Sequence, residues 1–133
     1  MSEQPNNPDS ESGPPRTILV VEDETMLRLV AAEVLTDAGF KVMEAAHGGE
    51  ALKILQSGEA IDLVLSDVKM PIMNGYQLAE AGLTLQPELK FLLMTGYSQE
   101  PLPPLLSRAG VEVLRKPFEF GQLAKIVRQV LDS

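Results

Sequence analysis

Cysteine is absent from the 133 residues, which removes a disulfide frame, a thiolate metal site and a thiol redox couple together. A reducing compartment suits such a chain. Basic clusters are missing too. The chain has 11 lysines and arginines against 19 acids, for a net charge of −8. Nucleic-acid binders carry a basic face, so direct DNA binding is not expected. No apolar stretch approaches the roughly 20 residues that span a bilayer. The amino terminus is polar and proline-rich, with no apolar signal core. The expectation is a cytoplasmic protein with no membrane insertion.

What is present is globular. Apolar residues make up 44% and charged residues 23%, and the length suits one domain with a sizeable core. Residues 1–15 contain no aliphatic side chain after Met1. Such a segment buries too little surface to offset its ordering entropy, so a disordered tail is expected there. Residues 16–133 are the expected folded domain.

From Thr17 onward the pattern alternates between strands and helices. Strands are expected at 17–22, 41–45, 62–66, 90–94 and 111–115. The first helix carries Leu27, Val30, Ala31, Val34, Leu35 and Ala38 on one stripe and stops at Gly39. The second follows His47-Gly48-Gly49 and turns Ala51, Leu52 and Leu55 inward. A third is expected over 74–85. The fourth is short, about 103–109, because Pro101, Pro103 and Pro104 disturb its start and Pro104 suits a first turn. The fifth carries Leu123, Ile126, Val127, Val130 and Leu131. Five βα units in series give an α/β fold, a doubly wound, flavodoxin-like parallel sheet of strand order 2-1-3-4-5.

The strand ends carry the chemistry. Ile18-Leu19-Val20-Val21 ends in Glu22-Asp23-Glu24. Ile61-Asp62-Leu63-Val64-Leu65-Ser66 ends in Asp67. Phe91-Leu92-Leu93-Met94 ends in Thr95-Gly96, and Val111-Glu112-Val113-Leu114-Arg115 in Lys116-Pro117. In this topology the ligand crevice opens at the carboxyl ends of the first and third strands. Glu22, Asp23 and Asp67 would converge there and raise one another's pKa values. A hard divalent cation such as Mg²⁺ relieves that crowding through oxygen ligands. Lys116 supplies a point charge for phosphoryl oxygens and Thr95 a hydroxyl. Bland readings exist for each. Asp23 suits an N-cap, Glu24 suits a helix start and its dipole, Thr95 suits a cap for the fourth helix, and Lys116 suits solvent. For Glu24 the bland reading is preferred. An X-Pro bond can also be cis, a rigid way to aim Lys116. His47, the single histidine, reads as a surface turn residue. Met26, Met70 and Met73 read as packing.

These motifs resemble the receiver domain of bacterial two-component response regulators over residues 17–131. The resemblance rests on Val20-Val21-Glu22-Asp23-Glu24, Leu65-Ser66-Asp67-Val68-Lys69-Met70-Pro71 with Asn74-Gly75, Met94-Thr95-Gly96-Tyr97 and Leu114-Arg115-Lys116-Pro117-Phe118. It implies that Asp67 takes a phosphoryl group from a histidine kinase or histidine phosphotransfer protein. It implies Mg²⁺, or Mn²⁺, held by Glu22, Asp23, Asp67 and the Lys69 carbonyl. Lys116 would neutralise the phosphoryl group and Thr95 would move inward to bond it. Lys69 and Tyr97 match positions that tune the phosphate lifetime. Catalysis would be limited to Mg²⁺-dependent self-phosphorylation and autodephosphorylation, by positioning and electrostatics.

Two departures stand out. The aromatic residue usual three positions before the lysine is Val113, which leaves Tyr97 as the nearest replacement for a switch. The prolines before the fourth helix reshape the face made by that helix, the fifth strand and the fifth helix, where a downstream protein partner is expected. No second domain is expected after the last helix, so output should pass through association. Met1 and the polar tail lean toward a stand-alone protein over a piece of a hybrid kinase. A metal-dependent phosphohydrolase is the competing class, but such enzymes need a second acid shortly after the nucleophile, and here Val68 and Lys69 follow. A phosphorylation-independent binding module is disfavoured because all the corner residues are present.

Overall fold

The structure, a computed structural model, describes residues 15–96 and 102–133. The expected tail and Tyr97 therefore fall outside the described residues, apart from Pro15.

Ten elements alternate along the chain: β1 Thr17–Val21, α1 Thr25–Asp37, β2 Lys41–Ala45, α2 Gly48–Gln56, β3 Leu63–Asp67, α3 Gly75–Leu85, β4 Lys90–Thr95, α4 Pro104–Arg108, β5 Glu112–Arg115 and α5 Phe120–Leu131. The strands form one parallel sheet in the order β2-β1-β3-β4-β5, as the sequence implies.

Side-chain alternation divides the core in two. Ile18, Val20, Leu63, Leu65, Leu92 and Met94 face one layer, where Ala31 and Leu35 of α1 and Leu123 and Val127 of α5 meet them. Leu19, Val21, Val64, Phe91 and Leu93 face the other, against Ala51 and Leu55 of α2, Leu78 of α3 and Leu106 of α4. A strand covered on both faces has no polar side to show, which is why β1, β3 and β4 read as continuous apolar runs. Each fully buried leucine contributes about 2 kcal/mol of transfer free energy.

The element ends explain the small differences from expectation. β3 starts at Leu63 rather than Asp62, because the Asp62 carboxylate turns back to accept the Thr17 N–H at 2.7 Å. It extends to Asp67, which pairs in register with Met94. β5 begins at Glu112, with Val111 buried just before it. On α1, Ala32 joins Ala31 and Leu35 in burial, while Leu27, Val30, Val34 and Ala38 are half-buried. Gly39 follows α1 at φ 102°, a conformation that stops a helix and favours glycine. Pro104 occupies the first turn of α4, as expected.

Candidate functional site

β1 and β3 lie side by side, with Val21 opposite Ser66. The next residues on each, Glu22 and Asp67, are therefore neighbours at the carboxyl edge. Glu22 is 3% and Asp67 7% exposed, while Asp23 is exposed. One carboxylate oxygen from each of Glu22, Asp23 and Asp67 lies within 4.8 Å of the other two. Lys116, from the end of β5, reaches across β4, and its Nζ sits 3.2 Å from Asp67 Oδ1. Its backbone is held by an N–H bond of 2.8 Å to the Thr95 carbonyl, and the Lys116–Pro117 peptide is cis.

The electrostatics follow from burial. Glu22 is pushed up to about 7 from 4.5, first because burial penalises its charged form. The Asp67 charge and a hydrogen bond with Asp23 raise it further, while the Glu24 N–H and Lys116 oppose. Three close oxygen donors with one held above its ordinary range suit a hard, oxygen-seeking dication. Mg²⁺ or Mn²⁺ fits this donor set.

The loop after β3 is pinned at both ends. Val68 N–H donates to the Met94 carbonyl and Gly75 N–H to the Val68 carbonyl, each at 2.9 Å. A Cβ at Gly75 would stand 2.7 Å from the Asp67 carbonyl oxygen, so only glycine closes this loop. Asn74 caps α3 by accepting the Gln77 N–H, and Gln77 accepts the Asn74 N–H in return.

The remaining expected residues sort clearly. Thr95 is half-buried at the end of β4 and lines the same crevice as Asp67, Glu22, Lys69 and Lys116. It stands nine residues before α4, too far to cap it. Asp23 is not the α1 cap either. Glu24 holds that place, without a side-chain capping bond, and its N–H donates to Glu22 Oε2 at 3.0 Å. Lys69 is exposed at the crevice wall. Val113 is 38% exposed and lines a separate groove with Ile126.

Sequence reasoning passed over two polar clamps. Arg28 of α1 donates to the Glu22 carbonyl at 2.8 Å and to Glu44 at 3.3 Å, fixing the turn that carries the acid pair. His47 does more than turn the chain: its Nδ1 accepts the Glu50 N–H at 3.1 Å, capping α2. The signal available was Glu50 three residues after His47, the spacing of a capping box.

Known proteins carry the same pattern. The response regulator receiver domain family matches residues 18–128. The chain is similar to the response regulator receiver protein CpdR of Brucella abortus (strain 2308), 32% identical over 87% of this chain and 97% of that one. It is 38% identical to the sensor kinase CckA of the same organism over 88% of this chain, but spans only 13% of that protein. Among solved structures, the response regulator protein TrrA of Thermotoga maritima, in complex with Mg²⁺-BeF, superimposes with a TM-score of 0.76 at 35% identity, covering 86% of this chain and 98% of that one. Among the described residues, no helix is long and apolar enough to cross a membrane.

Proposed function

The chain belongs to the response regulator receiver domain family, the phosphoacceptors of two-component signalling, and we propose that Asp67 is the residue that accepts its phosphoryl group. The observation that carries this assignment is the Lys116–Asp67 contact of 3.2 Å beside the acid pair. Receivers of this family interact with histidine kinases or phosphotransfer proteins, so the donor is a phosphohistidine. An Asp67 carboxylate oxygen attacks phosphorus, and the P–N bond breaks. The imidazole nitrogen leaves with the electron pair and takes a proton from solvent.

Each residue has a role that its position supports. Burial of Asp67 keeps water from competing for its charge. Lys116 Nζ sits where negative charge builds on the transferred group, and a fixed cation there costs no reorganisation. Thr95 offers a hydroxyl at the adjoining strand end. Glu22, Asp23, Asp67 and the Lys69 carbonyl are the proposed ligands of Mg²⁺, a reading that the TrrA complex with Mg²⁺-BeF supports. When bound, the dication neutralises the clustered carboxylates and the phosphoryl oxygens. Lys69 and Tyr97 are assigned to the lifetime of the phosphorylated state. Residues 16–133 are assigned to this one domain, working in the cytoplasm with its kinase. The α4–β5–α5 face, with exposed Leu105 and Val113, is assigned to a downstream protein.

Turnover as a phosphohydrolase is not supported, since no acid follows Asp67 within the loop through Asn74. The test is intact mass after incubation with acetyl phosphate. Gain of one phosphoryl group that needs Mg²⁺ and vanishes in Asp67→Asn is the expected result. An adduct that persists in Asp67→Asn overturns the assignment.

A further inference from the structure

Ser66 is fully buried one residue before Asp67, and it does not line the crevice. Successive strand residues point to opposite faces. Ser66 therefore shares with Val64 the face of β3 that packs against α2 and α3, while Asp67 opens to the crevice on the other. A hydroxyl on an apolar face is costly to bury unless it is bonded. Ser66 Oγ donates to the Asp67 carbonyl at 3.0 Å. The pairing of β3 with β1 ends at Ser66. The Asp67 carbonyl thus lies past the last paired residue of that ladder, and the hydroxyl supplies a donor there.

The peptide that follows Asp67 is held at two further points. Its N–H, on Val68, donates to the Met94 carbonyl at 2.9 Å. Gly75 packs against its oxygen, where an added Cβ would come within 2.7 Å. That peptide hangs on the Asp67 Cα, so a change in its tilt swings the Cβ and the carboxylate with it. The carboxylate has little latitude. Its Oδ1 meets Lys116 Nζ at 3.2 Å, and one of its oxygens lies within 4.8 Å of those of Glu22 and Asp23. A misplacement of about 1 Å at a reacting group costs about 10²-fold in rate. We propose that Ser66 is a positioning residue for phosphoryl acceptance: its hydroxyl, bonding from the face opposite to the crevice, fixes the peptide that aims the Asp67 carboxylate. This rests on Asp67 being the acceptor.

The experiment compares three variants. Ser66→Thr keeps the hydroxyl, Ser66→Val has the shape of threonine without it, and Ser66→Ala removes it with least disturbance. Three quantities are read: the rate of phosphorylation by acetyl phosphate with Mg²⁺ in excess, Mg²⁺ affinity by titration without donor, and stability by urea unfolding. Ser66→Val should accept the phosphoryl group about five- to ten-fold more slowly than Ser66→Thr, the factor that one hydrogen bond supports. Ser66→Ala should be slowed by a similar factor against wild type, and serves alone if the β-branched pair does not fold. Mg²⁺ should bind more weakly to Ser66→Ala and Ser66→Val than to the proteins that keep the hydroxyl. Equal rates for Ser66→Val and Ser66→Thr overturn the role of the hydroxyl. Lower stability in Ser66→Ala with an unchanged rate makes Ser66 structural only and overturns the proposal too. Wild type that takes no phosphoryl group, with Mg²⁺ affinity still following the hydroxyl, overturns Asp67 as acceptor and keeps the positioning.

Discussion

Lys116 Nζ stands 3.2 Å from Asp67 Oδ1 and so sets a cation against the carboxylate cluster of Glu22, Asp23 and Asp67. The lysine has two opposed effects. It stabilises charge on the transferred group, and it competes with a dication for the same oxygens. Lys116→Met should therefore slow phosphoryl acceptance by about 10²-fold, the usual loss for one preorganised donor. The same substitution should tighten Mg²⁺ binding, because the acids then lose a neutralising charge beside Asp67. Rates from acetyl phosphate and a Mg²⁺ titration check both signs, and a weaker Mg²⁺ affinity would show that Lys116 shapes the site mainly by packing.

Glu22 ties stability to pH. Its folded pKa is about 7 against 4.5 unfolded. Below the unfolded value both states hold the proton and its contribution is complete. Between the two values the folded state binds more protons, so stability falls as pH rises, and above about 7 the loss is complete. The limit is about 3 kcal/mol for a shift of this size. In metal-free protein, urea unfolding should show wild type losing stability from pH 5 to 8 relative to Glu22→Gln. Adding Mg²⁺ at pH 8 should recover it for wild type alone.

The strand-end acids and the hydroxyl were legible because β1, β3 and β4 are buried on both faces. Each of these three is then a largely aliphatic run, and the polar group at its end marks the crevice, whereas Lys116 follows the exposed edge strand β5 and was legible from the proline after it. Contacts that close a turn in space were not legible in that way. Arg28 reaches the Glu22 carbonyl six residues back, and nothing in periodicity distinguishes it from a solvated helix arginine. The departure of Val113 from the usual aromatic was plain, but its 38% exposure on the edge strand β5 was not.

Ile72 shows a second feature that sequence patterns conceal. It has φ 71°, and the N–H of Met73 donates to the Pro71 carbonyl at 2.7 Å, so Ile72 is the centre of a three-residue γ-turn of the rare, strained hand. A β-branched residue there is an outlier, and its side chain is 102% exposed. The buried Met70 and the Asn74 cap leave the chain little room to turn otherwise. Ile72→Gly removes no buried contact and relieves strain of about 1–3 kcal/mol, against an entropy cost of about 0.5–1 kcal/mol. The variant should gain about 1 kcal/mol by urea unfolding. A loss would mean that the turn is not strained in solution.

Gly75 carries the reverse expectation. A Cβ there meets the Asp67 carbonyl oxygen at 2.7 Å and Val68 Cα at 2.9 Å, both backbone atoms that cannot swing aside. Gly75→Ala should cost about 2–3 kcal/mol and slow acceptance at Asp67, whose own peptide must shift. Gly49→Ala, where the nearest neighbour is the His47 side chain at 3.4 Å, is the control and should be close to neutral.

Arg28 separates position from charge. Its guanidinium donates to the Glu22 carbonyl at 2.8 Å, a part-buried bond, and to Glu44 at 3.3 Å in an exposed pair. Losing a charged donor to a backbone carbonyl costs about 1.5–3 kcal/mol, whereas an exposed pair is worth about 0.2–1 kcal/mol. Arg28→Met should therefore destabilise by about 2 kcal/mol and Glu44→Gln by far less. The turn that Arg28 holds also sets the spacing of Glu22 and Asp23 against Asp67. With the turn loosened, Mg²⁺ should bind Arg28→Met less tightly than wild type, and Glu44→Gln should match wild type. If the arginine acted only as a nearby positive charge, its removal would tighten Mg²⁺ binding, so the direction of that one shift decides between the two roles.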